Sequence, residues 1–196
     1  MLYPGALYID GNISGYIAIY FRVGKSRTSN LLPTSLTFGC LVLPLGTYFI
    51  QRGANPKLML LLGACLGLTM NMIASITTNY SVFFWMYSLS WSINQGISYM
   101  VPVHHGWLWF PESPGLVSGM VIGGFGLGAL VFDNVSTLII NPNNIQEGEL
   151  DYKSTISSRF VKMLHYLQLS YAFLALLGVA LIFSGPKKEH HPYFRQ

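Results

Sequence analysis

Polar and apolar positions alternate along this chain on the scale of membrane crossings. Uncharged apolar runs recur between short polar breaks, several of them about 20 residues long, the length a helix needs to cross roughly 30 Å of hydrocarbon. Gly5 to Phe21 (GALYIDGNISGYIAIYF) is the first and shortest, interrupted by Asp10, Gly11 and Asn12. Arg22 to Asn30 is a polar loop, and Leu31 to Ile50 is again free of charge. Pro33 lies early enough in that run to be tolerated, whereas Pro44 inside it predicts a kink. Gln51 to Lys57 is a short basic loop, and Leu58 to Val103 holds no Asp, Glu, Lys, Arg or His. That stretch is about twice the length of one span, and Thr77-Thr78-Asn79-Tyr80-Ser81 divides it. Ser113 to Phe132 follows, then Asp133 and a polar loop to about Phe160 with a turn signal at Asn141-Pro142-Asn143-Asn144. The last run extends from Met163 to Ser184, and Gly185-Pro186-Lys187-Lys188 closes it.

This pattern predicts an all-α integral membrane protein. Its spans lie at about 5–22, 31–50, 58–76, 82–103, 113–132 and 163–184, one six-helix transmembrane bundle over 1–185, with a polar tail at 186–196. Lys187 and Arg195 favour a cytoplasmic position for that tail.

The fifth run is rich in glycine. At about 100° per residue, Gly115, Gly119, Gly123 and Gly126 fall on one narrow face, with Gly124 and Gly128 nearly opposite. Each glycine would cost an exposed soluble helix about 1 kcal/mol. In lipid the backbone satisfies itself, and small residues become a contact surface. Small residues on two faces predict a helix wedged between neighbours, either as plain tight packing or as a moving interface. The fourth run carries a polar streak: Ser88, Ser90, Ser92, Asn94, Gln95 and Ser98, with Tyr87 and Tyr99. Gln95 and Tyr99 share a face, with Ser88 and Ser92 near it. Two readings stand: a face lining a solute pathway, or hydrogen bonding between helices.

Composition agrees with a membrane protein. Of 196 residues 52% are hydrophobic and only 9% charged, against about 25% charged in soluble domains. No basic cluster with interleaved aromatics points to nucleic acid. Cys40 and Cys65 sit inside apolar runs and read as small packing residues. His104 and His105 are adjacent, so they do not share a helix face and make a poor metal site; with Trp107 and Trp109 they suit the membrane interface. No metal spacing, activated nucleophile or phosphate loop is present, so neither enzymatic activity nor any cofactor or metal is expected. Gly124-Phe125-Gly126-Leu127-Gly128 lacks the preceding strand that a dinucleotide motif requires.

Trp109-Phe110-Pro111-Glu112, then Gly115-Leu116-Val117-Ser118-Gly119 and Gly124-Phe125-Gly126-Leu127-Gly128-Ala129, resemble a loop and fifth helix of the major facilitator superfamily. The resemblance is to its oxalate/formate antiporter-like, monocarboxylate transporter-like branch. Gly5, Tyr8, Gly11, Asn12, Ile13 and Tyr16 resemble the second half of that family's first helix. Members carry more apolar sequence before this point, so a chain shortened at its amino end is expected. Gly46, Arg52, Gly53 and Lys57 resemble the superfamily's loop between helices two and three, without its acidic residue. The resemblance covers the amino-terminal six-helix half of a twelve-helix carrier and implies that both termini are cytoplasmic. Charge does not decide orientation. Arg52, Lys57, Lys187, Lys188 and Arg195 fall on one side, and Arg22, Lys25, Arg27, Lys153, Arg159 and Lys162 on the other.

The resemblance implies secondary active transport of a small solute, an organic anion in this branch, by two halves rocking about a midplane site. Asn12, Tyr16, Gln95 and Tyr99 are then candidates to line the pathway. Gly115, Gly119, Gly123, Gly126, Arg52 and Lys57 are candidates for helix packing and gating, and Asp10 for proton coupling. The partners expected are the lipid bilayer, plasma or organellar, the small-molecule solute and a second six-helix half on the same or a separate chain. The alternatives are a non-transporting assembly or regulatory subunit of the membrane, or a gene fragment inactive on its own.

Overall fold

A computed structural model describes residues 2–146, 149 and 151–182. Among them the secondary structure is helical throughout, without a strand. The chain first rises through α1 (Leu2–Gly5), a 3-10 turn (Ala6–Ile9) and α2 (Asp10–Phe21). The short α3 (Lys25–Thr28) leads into α4 (Leu31–Gln51), followed by α5 (Pro56–Ile76), α6 (Tyr80–Ser98) and α7 (Met100–Trp109). Then come α8 (Pro114–Ile140) and α9 (Tyr152–Leu181). Four stretches are long and apolar enough to cross a membrane: Lys25–Gln51, Pro56–Ile76, Pro114–Ile140 and Tyr152–Leu181. The protein is a multi-pass membrane protein. The tail at 186–196 lies outside the described residues.

Polar side chains set the breaks between helices. Asn55 Oδ1 accepts from the Lys57 amide at 3.0 Å, with Pro56 opening α5, and Asn79 Oδ1 accepts from the Ser81 amide at 2.9 Å to open α6. The divide at Thr77 to Asn79 is where the sequence pattern placed it. The turn at Asn141 is also as expected: Asn141 Oδ1 accepts from the Ile145 amide and its Nδ2 donates to the Ile145 carbonyl, each at 2.9 Å. Between α6 and α7 the helix is interrupted at Tyr99. Pro102 has no N–H for the Ser98 carbonyl four residues earlier, which loosens the turn there.

Two helix ends differ from expectation. The fifth helix does not stop at Phe132 but continues through Asp133 to Ile140. Asn134 Nδ2 donates back to the Leu130 carbonyl at 2.7 Å, and Asp133 is held by a residue of α2. The last helix begins at Tyr152 rather than Met163, its first turns carrying Lys153 and Lys162 on exposed positions and Arg159 on a half-buried one.

The core is aromatic. Phe83 stacks on Tyr87 with centroids 5.3 Å apart, Tyr20 stacks on Phe160 at 4.6 Å, and Phe21 lies 4.9 Å from Phe83. Tyr3, Trp91, Phe132 and Tyr171 continue this cluster, joining the first helical segment to α6, α8 and α9. By contrast Leu41, Leu45, Leu116, Met120, Leu130, Leu169 and Phe173 are exposed. Such a broad apolar surface is what a lipid-facing bundle presents.

Close backbone approach occurs at α8 and on other helices too: a Cβ on Gly5 of α1 would run into the Phe125 backbone of α8. A Cβ on Gly46 of α4 would run into the Gly96 carbonyl of α6, and one on Gly96 into Val42. A Cβ on Gly63 of α5 would meet Ser98 Oγ. On α8 the two glycine faces differ within this chain. Gly128 is buried and Gly124 half-buried, but Gly115, Gly119, Gly123 and Gly126 are exposed, and an added Cβ would meet nothing within 4 Å. Within this chain that ridge is bare.

Candidate functional site

A cleft of about 870 Å³ opens beside the first helical segment, between α2 and the start of α9. It descends along α2 from Arg22 to Asn12, following Ile19, Tyr16, Gly15 and Gly11. Gly11 and Gly15 give it a wall without side chains: a Cβ at either would meet nothing within 4 Å. At its lower end Asn12 Nδ2 donates to Asp133 Oδ1 at 2.9 Å and to Thr137 Oγ1 at 3.0 Å, both on α8. The mouth lies at the end of the bundle where α2 passes to α3 and α5 to α6, ends tied together by Tyr80 Oη donating to the Arg27 carbonyl at 2.9 Å.

The four pathway residues named from sequence divide into two pairs. Asn12 and Tyr16 both line the cleft. Gln95 and Tyr99 are not among its lining residues. Gln95 Oε1 faces Gly39 of α4, lying 3.8 Å from where a Cβ of that glycine would stand, and the Tyr99 ring lies 5.7 Å from Phe125 of α8. These two therefore face different neighbours, Gln95 towards α4 and Tyr99 towards α8. The polar streak of α6 serves helix contact at two points: Ser92 Oγ donates to the Ser35 carbonyl of α4 at 2.8 Å, and Tyr87 Oη to Asp10 of α2 at 2.9 Å. Ser90 Oγ donates to the Tyr87 carbonyl of its own helix, whereas Ser88 Oγ, Asn94 Nδ2, Gln95 Oε1 and Ser98 Oγ are buried without a hydrogen-bond partner.

Asp10 is buried at 2% exposure, away from the cleft. Tyr87 Oη donates to its Oδ1 at 2.9 Å, while Oδ2 has no partner. Arg52 and Lys57 occupy the opposite end of the bundle, both exposed. The Arg52 guanidinium stands 4.5 Å over the Tyr48 ring, and the Lys57 backbone amide serves the Asn55 cap. Asp133 and Thr137 are the site residues that the sequence did not single out. Their signal, an acid beside the apolar run of the fifth helix, was visible, but its partner on α2 was not. Among the described residues no group of three or more His, Cys, Asp or Glu could hold a metal ion.

A known protein similar to this chain is the apicoplast pyruvate carrier 1 of Toxoplasma gondii, 28% identical over 156 residues. The match covers 71% of this chain and 28% of the carrier, so the chain spans little more than a quarter of that relative's length. No protein-family profile matches the chain. No solved structure matches it either.

Proposed function

We propose that the chain forms the amino-terminal half of a secondary carrier for a small organic anion, of the major facilitator kind. The observation that carries this reading is the similarity over 156 residues to a pyruvate carrier, in a chain whose helices are long and apolar enough to cross a membrane. In this reading the segments 2–21 and 80–109 also cross, giving six passages, and a second six-helix half comes from the same or another polypeptide. The bare glycine ridge of α8 supports such a partner: backbone without side chains lets a neighbouring helix approach closely. Gly115, Gly119, Gly123 and Gly126 then meet the second half. Arg52 and Lys57 act in gating at the opposite end.

The pathway runs past Asn12 and Tyr16 on one side and Gln95 and Tyr99 on the other. The unpartnered Gln95 oxygen supports that assignment, because a buried polar atom in the membrane is costly unless water or solute reaches it. Asp10 takes the coupling proton. Its carboxyl has one oxygen held by Tyr87 and one free to carry a proton.

The test is uptake of labelled pyruvate by liposomes containing the complete protein. Saturable uptake above that of protein-free liposomes is expected. Uptake equal to protein-free liposomes, from protein that is folded and inserted, contradicts transport and leaves an assembly or regulatory role.

A further inference from the structure

The mouth of the cleft is cationic. Arg22, Lys25 and Lys153 line it, and no carboxylate is among its lining residues as described. Of the described acids nearby, Glu149 Oε1 accepts from the Gln146 amide at 3.2 Å, Asp133 is bonded to Asn12 at the far end, and Asp151, two residues before Lys153, is exposed and not among the lining residues. Ser154 and Ser157 add hydroxyls between the cations and Tyr16. A half-open cleft lined with charge of one sign concentrates counter-ions and speeds their capture. Its volume falls in the range of about 300–1,000 Å³ common for small-molecule sites, but its walls are polar where tight sites are apolar. The arrangement suits weak, salt-sensitive capture of an anion rather than firm binding.

Arg22 adds an independent observation. It ends α2 in the left-handed backbone region, with φ 55° and ψ 40°. Glycine is the usual residue at this position of a helix end, because any Cβ is unfavourable there. A large cationic side chain is held instead in an unfavourable backbone state, at the rim of a cleft bearing two more cations. Backbone strain of this kind concentrates where a side chain has work to do.

We infer that Arg22, Lys25 and Lys153 form a capture vestibule for a small carboxylate, which passes along the glycine wall towards Asn12. The identity of the anion rests on the carrier reading above; the existence of an anion site does not. A solute carboxylate and a lipid phosphate present the same anionic oxygens, and the experiment separates them.

The experiment uses the complete protein and labelled pyruvate, with two readouts: equilibrium binding to detergent-purified protein, and uptake by liposomes. The liposomes are phosphatidylcholine alone, or phosphatidylcholine with phosphatidylglycerol. The variants are Arg22→Gly, the double change Lys25→Gln with Lys153→Gln, and Lys162→Gln, which removes one charge outside the cleft as Arg22→Gly does within it. At low salt, Arg22→Gly and the double variant raise the half-saturating concentration roughly tenfold in both lipid mixtures, and high salt narrows the difference. Lys162→Gln leaves it unchanged. Arg22→Gly also keeps or raises thermal stability, so its loss of capture cannot be a folding defect.

Unchanged half-saturation and binding in both cleft variants overturn the vestibule while leaving transport intact. An effect seen only with phosphatidylglycerol also overturns it, assigning the cations to lipid headgroups. If the unaltered protein gives no flux, the carrier reading fails, and binding decides alone. Saturable binding that Arg22→Gly weakens upholds the vestibule, and no binding by the unaltered protein overturns it.

Discussion

Asn12 and Asp133 are 121 residues apart in the chain, and the amide of one donates to the carboxylate of the other at 2.9 Å. The same amide reaches Thr137, so one side chain of α2 holds two successive turns of α8. This pair ties the first helical segment to the glycine-rich helix at the foot of the cleft. Hydrogen bonds between membrane helices average about 0.6 kcal/mol and reach about 1.7 kcal/mol. Asn12→Ala and Asp133→Ala should each lower stability by amounts in that range. The double variant should fall short of their sum, because both remove the same contact. A double-mutant cycle on reversible unfolding in detergent checks this; strict additivity would mean that the pair is not coupled.

The glycines make a contrasting pair of predictions. Gly46→Leu forces a side chain into the Gly96 carbonyl, and overpacking of this kind typically costs about 1–3 kcal/mol. Gly119→Leu and Gly123→Leu enter open space and should leave the stability of this chain unchanged. Under the proposed function they should nevertheless block assembly with the second half. Thermal unfolding of the chain, and its recovery together with the remaining half, measure the two effects. Destabilisation of this chain alone by Gly119→Leu would mean that the ridge is packed from within.

Asp10 and Tyr87 depend on one another. Tyr87→Phe removes the donor to Oδ1, and Oδ2 already has none. Leaving a buried polar group unsatisfied costs about 1–3 kcal/mol, so Tyr87→Phe should destabilise by about that much despite its nearly conserved shape. Asp10→Asn keeps an acceptor for the tyrosine and should fold. In the proposed function it no longer exchanges a proton. Uptake driven by a pH gradient should therefore disappear while exchange without a gradient persists. Gradient-driven uptake equal to that of the unaltered protein would remove Asp10 from coupling.

What could be read from the chain alone followed the reach of each signal. Helix breaks were legible wherever local chemistry makes them: Asn79 and Asn141 cap or turn the chain with their own neighbours. Helix continuations were not legible where the stabilising partner is distant. Asp133 looked like an end because its hydrogen bond comes from Asn12. Tyr152 to Lys162 looked like loop because its three charged residues masked the buried Ile156 and Phe160. Glycine content marked α8 as unusual, but not which helices lie against it. The closest approaches belong to Gly5 and Gly106, which meet α8 at Phe125 and Val117, and to Gly46, Gly63 and Gly96, all outside the glycine-rich run. The cleft joins residues from both ends of the chain, and of its lining only Asn12 and Tyr16 stood out beforehand.

Counterflow tests the account most directly. Liposomes holding the complete protein are loaded with unlabelled pyruvate and diluted into a trace of labelled pyruvate, with no ion gradient. A carrier accumulates label transiently above its external concentration, since outward movement of the unlabelled solute returns binding sites to the outer face. That overshoot is the predicted result, and Asn12→Ala should reduce it. Label that rises only to equilibrium, as it does in protein-free liposomes, would contradict carriage of organic anions by this protein.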